Sequence, residues 1–504
     1  MKQMQIVADI TENNIQIKTE RFREGKKLRV LDLFSGCGGL SLGFLKMDFE
    51  IVAAVEIDKE AIHSHATNFH KKDFHFQQHA TPRDIQKTDP SQLLKEVGIY
   101  DHPGEVIDII IGGPPCQAFT RVGRAKLREI NNHHEAFLND PRSQLYKRYL
   151  EYVKELAPLA ILMENVPDML NYGDVNIAEL VCEDLSEYGY KCQYTLLNTV
   201  YYGVPQMRER MFLIALHESI ESDIIFPQPT HYIELPVGYH GSRSVALKNM
   251  KEGVKQKYYV PAPMANKKLP TAVSAKTALS DLPELLLHLK NKLKRGTKSL
   301  TEKLPYKQKP GNNHYQQLMR TWTGFEEENS IAGNVIRLLP RDYPIFKRMK
   351  PGDQYPQAIE VAKKLLKAKL IREKKKTGKI SRKNSKQYKQ FLKETTPPYD
   401  VTKFPNKWRK MEPDKPARTL MAHLSKDSYS HIHYDSTQAR TISVREAARL
   451  QSFPDGFQFS GAMNAAFRQI GNAVPPLMAS RLAAEIKIMI ENGIKCQMKM
   501  ESKP

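Results

Sequence analysis

The chain has 504 residues, and its 77 Lys plus Arg against 56 Asp plus Glu give a formal charge of +21. That excess points to a polyanionic partner and leaves the fold open. Five scattered cysteines without a C-x-x-C pair argue against a disulfide framework or a structural zinc site, and no run approaches membrane-spanning length. A soluble, cytoplasmic protein of two to three domains, without a membrane partner, is therefore expected.

Residues 1–27 are polar and unpatterned, ending in RFREGKK, and read as a tail or peripheral arm. Leu28–Phe34 reads as a first core strand. It breaks at Ser35-Gly36-Cys37-Gly38-Gly39, after which Leu40–Met47 continues at helical spacing. Strand, glycine turn and helix open a nucleotide-binding unit, although Ser41 stands where the dinucleotide fingerprint has its third glycine. Such a turn lets backbone approach a ligand, and the helix N-terminus favours a negative group. A second strand, Glu50–Ile57, ends on Glu56, about twenty residues past the glycines, where an acid can bind ribose hydroxyls. Together these features favour an adenosine-containing ligand. Asp58–Asn68 looks helical, and Asp84 is a further polar candidate.

Ile107–Ile111 forms a buried strand interrupted by Asp108, and Gly112-Gly113-Pro114-Pro115 ends it abruptly. Cys116 follows at once, where parallel strands carry their chemistry, and a thiol on such a loop is a candidate nucleophile. Asp140–Ala157 reads as an amphipathic helix. Leu159–Val166 is another apolar strand, ending on Glu164-Asn165. A carboxylate at such a place is costly without a partner. Arg208 and Arg210 alternate before the strand Met211–Leu216, so an extended backbone puts both guanidiniums on one face.

From about Glu221 to 435 the strand–helix alternation is lost. Lys363–Lys376 is strongly basic, with eight cations against Glu373, and Trp322, Trp408 and many tyrosines are interleaved with such charge. That mixture suits contact with nucleic acid. Thr437–Phe457 returns to regular structure with a basic amphipathic helix, VREAARLQSF. Gly471-Asn472-Ala473-Val474-Pro475-Pro476 then leads into a last helix, Leu477–Ile490.

Seven pieces in this order resemble the DNA (cytosine-5)-methyltransferases of bacterial restriction–modification systems. They are DLFSGCGGLSLGF, the acid Glu56, GGPPCQAFTRVGR, MENV, GVPQMRERMFLIAL, ARTISVREAARLQSFPD and FRQIGNAVPP, about half the chain. The resemblance implies an α/β, Rossmann-like catalytic domain using S-adenosyl-L-methionine, with a smaller target-recognition domain inserted before the C-terminal helix. The expected boundaries are 28–220 for catalysis, 221–435 for recognition, 436–461 for a hinge and 462–504 for the returning helix. It further implies that Cys116 attacks carbon 6 of a flipped cytosine, Glu164 holds ring nitrogen 3 and the exocyclic amine, Arg210 the 2-carbonyl, and Arg208 a loop or phosphate. Phe34, Gly36, Gly38, Gly39, Glu56, Ile57, Asp84, Pro114 and Asn472 match cofactor positions, Asp84 with Arg83 before it where the family often has Gly. Double-stranded DNA, a cognate restriction endonuclease and a monomeric state are the implied partners. Thr120, which stands where most bacterial members have Ser, leaves tRNA cytosine-5 methylation as the alternative.

Overall fold

The computed structural model describes residues 2–115, 144–171, 176–247, 256–293, 299–309, 311–403 and 407–501. Cys116 and Thr120 lie outside the described residues. No helix among the described residues is long and apolar enough to cross a membrane.

The core is a six-stranded sheet ordered β2-β1-β3-β4-β7-β5. Its strands are β1 (Arg29–Leu33), β2 (Glu50–Val55), β3 (Ile109–Gly112), β4 (Ala160–Asn165), β5 (Tyr190–Asn198) and β7 (Glu209–His217). The first four run parallel, whereas β7 runs antiparallel to both β4 and β5. Apolar runs such as Ile109-Ile110-Ile111 are buried on both faces, as parallel strands require. Val30, Ile109, Ile111 and Leu162 join one apolar layer, and Leu31, Ile110, Ile161 and Met163 join the other.

The last helix, Pro476–Glu501, closes the first layer against α2 (Gly39–Lys46). A side chain at Gly43 would meet Ala479 Cβ at 2.3 Å, so small residues let these two helices touch. The C-terminal helix thus packs against the helix that follows the first strand. Residues 458–469 are stitched to α3 (Lys59–Phe69): Arg468 pairs with Asp58 at 2.7 Å, and Ser64 Oγ donates to Gln469 Oε1 at 2.7 Å.

Three stretches differ from the sequence reading. The N-terminal arm is a helix, α1 (Lys2–Arg23). Its buried Lys18 donates to the carbonyls of Leu156 and Ala157, both at 2.7 Å, and Arg21 pairs with buried Asp108. Asp108 also accepts the Arg29 N–H at 2.6 Å, and it stands just before β3 and not within a strand as the sequence suggested, so it anchors α1 to the edge of that strand. The helix Val444–Leu450 is buried at every residue, not amphipathic. Its Arg449 is fully buried between Asp455 at 2.5 Å and Asp281 at 3.1 Å, while Arg440 reaches Glu446 at 2.6 Å. Trp322 and Trp408 are core residues, 1% and 0% exposed, and offer no stacking platform to a base.

Packing divides the 221–435 span. Ala275, Leu282, Met319, Trp322 and Ile331 belong to the apolar layer that covers the sheet. Tyr343, Phe346, Tyr355, Trp408, Tyr429 and Ile432 form a small core of their own, with Trp408 stacked on Tyr429 at 4.6 Å. From that core springs the helix Tyr355–Thr377, whose buried side chains end at Leu366. Beyond it Lys374, Lys375 and Lys376 are exposed, and Glu373 accepts from Ser381 Oγ at 2.6 Å.

Candidate active site

The functional candidates that the structure describes gather where the parallel strands end, beside the reversal of strand order at β1 and β3, which is where open α/β sheets bind ligands. After β1 the chain turns through Phe34 at φ 59°, Gly36 at φ 55° and Gly38 at φ 95°. Positive φ is unusual for a bulky side chain, and Phe34 holds it at the foot of the turn. Gly38 has no room for a side chain, since a Cβ would meet Phe69 Cε2 at 2.3 Å. At Gly39 a Cβ would strike the Val474 carbonyl at 2.3 Å, so the turn after β1 abuts the Asn472–Pro476 loop, more than 430 residues away in sequence. A Cβ at Gly36 would meet nothing within 4 Å, which leaves that side of the turn open.

Glu56, just past β2, ties the turn after β1 to the start of α3. Its Oε2 accepts the Gly36 N–H at 2.9 Å and its Oε1 the Asp58 N–H at 2.8 Å. Burial raises its pKa above the ordinary carboxylate value, opposed by these two donors. Each oxygen keeps a lone pair for a further donor. Beside it, Ile57 is 68% exposed, an apolar surface at the strand end. Asp84 is brought close because the Arg83 N–H donates to the Glu56 carbonyl at 2.8 Å, and its own Oδ1 caps Gln86 N at 3.1 Å. Asn472 is exposed at the end of the helix Met463–Asn472.

One network here was not legible in advance. Asp32, inside β1, is fully buried and accepts Ser41 Oγ at 2.6 Å, and the same hydroxyl lies 3.0 Å from His65 Nε2. Burial pushes the Asp32 carboxyl up to about 7. Ser41, standing in place of a third glycine, ties β1, α2 and α3 together. An acid within an apolar strand was the only available signal.

The second cluster lies beyond β3 and β4. Glu164 Oε1 sits 2.9 Å from Arg210 Nε, and both side chains are mostly buried. Thus the carboxylate that needed a partner has one, from the next strand across the sheet. Gly113 backs onto it: a Cβ there would meet the Glu164 carbonyl at 3.0 Å and its Oε2 at 3.1 Å. Asn165 Nδ2 donates to the Pro114 carbonyl at 3.1 Å, fixing the Gly-Pro loop to the end of β4. Pro115 is the last described residue before Cys116.

Arg208 does not join Arg210. It lies between β6 (Gln206–Met207) and β7, and its buried guanidinium donates to the carbonyls of Leu420 at 2.8 Å and Gly471 at 3.2 Å. The strand is interrupted at this residue, so the two guanidiniums go to different partners. Arg208 clasps the 420 segment and the end of the helix Met463–Asn472 to the start of β7. Short β6 pairs with Ala417–Arg418, bringing the 417–426 segment against the helix Met463–Asn472, where a Cβ on Gly471 would meet Met421 C at 2.3 Å. Arg418, Met421, His423 and Lys426 are exposed along it.

Comparison with known proteins places this geometry in context. The profile of the family described as C-5 cytosine-specific DNA methylase matches residues 28–488. The Oceanobacillus iheyensis protein M.OihORF3336P is 38% identical over 479 residues, 95% of this chain and 99% of its own. Type II methyltransferase M.AgeI from Thalassovita gelatinovora is 30% identical, over 92% of this chain and 100% of its own. Among solved structures, a prophage-encoded protein from E. coli named as a DNA modification methyltransferase superposes with a TM-score of 0.57. It is 23% identical, and the match spans 92% of this chain and 100% of that one, which supports the shared fold.

Proposed function

The chain belongs to the C-5 cytosine-specific DNA methylase family, and from that premise we propose a covalent route through Cys116 on a cytosine flipped out of duplex DNA. The activity is that of a DNA cytosine-5-methyltransferase akin to those of bacterial restriction–modification systems. The Glu164–Arg210 pair carries the proposal, because it sets a carboxylate and a guanidinium together beside the loop that leads to Cys116.

Carbon 5 of cytosine is a weak nucleophile. Addition of the Cys116 thiolate to carbon 6 makes carbon 5 enamine-like, so one hard step becomes easier ones. Glu164 accepts from the exocyclic amine and holds the proton at ring nitrogen 3 as charge develops, and Arg210 binds the 2-carbonyl. After carbon 5 gains its methyl group, water takes its remaining proton, the freed electron pair forms the 5,6 double bond, and the carbon 6–sulfur bond breaks to release the Cys116 thiolate. Extruding the base costs roughly a few kcal/mol.

S-adenosyl-L-methionine would supply the electrophilic methyl group. The described residues fit it: Glu56 has acceptor capacity for ribose hydroxyls, Ile57 offers an apolar surface, and the open side of Gly36 admits a ligand to the backbone. Phe34, Gly38, Gly39, Asp84, Pro114 and Asn472 complete the proposed cradle. The exposed Arg418, Met421, His423 and Lys426 would read the target, a role supported by the Arg208 clasp that joins their segment to the catalytic strands. Pairing with a restriction endonuclease, whose cleavage this methylation would block, is supported by the type II name of the relative M.AgeI.

Tritium transfer from labelled cofactor to duplex DNA, tRNA or buffer alone tests the reading. Incorporation into duplex DNA only is expected, and preference for tRNA overturns the substrate. Cys116→Ser should abolish transfer and the denaturation-resistant adduct with 5-fluorocytosine DNA, while cofactor affinity stays within about twofold. An adduct formed by that variant would mean another nucleophile.

A further inference from the structure

Five of the sixteen histidines fall between His63 and His79. His70 ends α3, a tight turn follows with the Asp73 N–H donating to the His70 carbonyl at 2.9 Å, and α4 (Phe76–His79) brings His79 back. The His70 and His79 rings lie face to face, centroids 3.6 Å apart and planes 3° apart. His70 is 7% exposed, and its Nε2 has no hydrogen-bond partner among the described residues. Neither feature is favourable alone. Ring quadrupoles disfavour a direct sandwich, and a buried polar atom without a partner carries an uncompensated desolvation penalty. Asp73 completes the group: its Oδ1 accepts the His75 N–H at 2.7 Å, and its Oδ2 faces His79 Nε2 at 3.5 Å.

We propose that His70, Asp73 and His79 form a binding site for a divalent late-transition metal ion, with Zn2+ the best match. One ligand atom from each residue lies within 4.8 Å of the others. Two atoms each about 2.0–2.1 Å from a tetrahedral ion are separated by about 3.3 Å, so the Asp73–His79 gap is already near that span. An imidazole nitrogen binds a metal in its own ring plane, so the ion requires the His70 ring to turn out of its stack on His79 and the partly exposed Asp73 to rotate. Two imidazoles and one carboxylate suit zinc, whereas magnesium and calcium favour all-oxygen sets. The neighbouring Arg83 is neutralised by Glu96 at 2.7 Å.

The ion would act as a staple. Phe69, which precedes His70, fills the space that a Cβ on Gly38 would need, and the His65 ring lies 5.8 Å from that of His70. Bracing this corner stiffens the support beneath the glycine turn and takes no part in methyl transfer. The site is therefore independent of the catalytic proposal.

The test uses the full chain, stripped with EDTA and titrated calorimetrically with Zn2+, with Mg2+ as control. One Zn2+ per chain should bind, raise the unfolding temperature, and give an X-ray absorption spectrum with two imidazoles and no sulfur. Asp73→Asn, at a site 37% exposed, should fold as the stripped native protein does, weaken Zn2+ binding at least about tenfold and lose the temperature rise. His79→Gln should do the same; if it does not fold, Asp73→Asn decides. Absence of one-to-one binding overturns the proposal. So does unchanged affinity in Asp73→Asn, or sulfur in the shell, which would place the ion on a cysteine such as exposed Cys496.

Discussion

Glu164 and Arg210 face each other across β4 and β7 with Oε1 2.9 Å from Nε, so neither can be altered without changing the charge of the other's surroundings. In Glu164→Gln the guanidinium keeps a neutral partner of the same shape. Turnover should fall by roughly 100- to 1000-fold while DNA affinity changes less than about tenfold, because the contact strengthens as charge develops. Single-turnover rates and equilibrium binding separate the two. Equal losses in both would make the pair a structural element.

Arg208 should behave differently. Its removal strands two buried carbonyls, those of Leu420 and Gly471. Arg208→Met is expected to cost about 2–4 kcal/mol in urea unfolding, each orphaned acceptor accounting for about 1–3 kcal/mol. Retained stability with lost turnover would instead make Arg208 a group that touches substrate.

The contrast between these arginines shows what was readable beforehand. Each motif is a continuous run at a strand end, so β1 to β4, the glycine turn and the strand-end positions of Glu56 and Glu164 were legible from residue type and spacing. By contrast β5, which carries no motif, and the order of strands in the sheet were not. Nor were partners. Arg449 in VREAARLQSF looks like a surface cation, yet one of its acids, Asp281, stands 168 residues away. Arg208 and Arg210 share a sequence pattern, and only the break between β6 and β7 sends them apart. Likewise α1 looked like a tail because its anchor, Asp108, stands just before β3, 87 residues beyond Arg21.

Asp32 provides a pH test. Its folded-state pKa is raised to about 7 against an unfolded value near 3.9, so it favours folding fully below about pH 4. That contribution is lost as pH climbs through 7. Asp32→Asn keeps an acceptor for Ser41 and cannot titrate. The stability of the native protein relative to the variant should drop by on the order of a few kcal/mol between pH 4 and 7. Urea unfolding of both proteins across that range checks it. Parallel curves would mean that Asp32 ionises normally.

The basic helix Tyr355–Thr377 tests how DNA is held. Its apolar anchor ends at Leu366, and in the last three turns Lys367, Lys374, Lys375 and Lys376 are exposed while Lys369 lies over Phe391. Lys363 and Lys369 are already paired with Glu360 and Glu394. Lys374, Lys375 and Lys376 make no ion pair among the described residues, and these are free to neutralise phosphates. Each phosphate contact releases counterions, so affinity depends on salt with a slope near one per contact. Replacing all three with Ala should weaken binding to cognate and scrambled duplexes alike and flatten the slope of log affinity against log salt by up to about three units. The methylated sequence should not change, since phosphate contacts position a protein without reading bases. By contrast, Arg418→Ala, on the segment clasped to the catalytic strands, should weaken cognate binding more than scrambled. An unchanged slope in the lysine variant would leave that helix solvated and away from DNA. A changed target sequence would mean that these lysines read base edges.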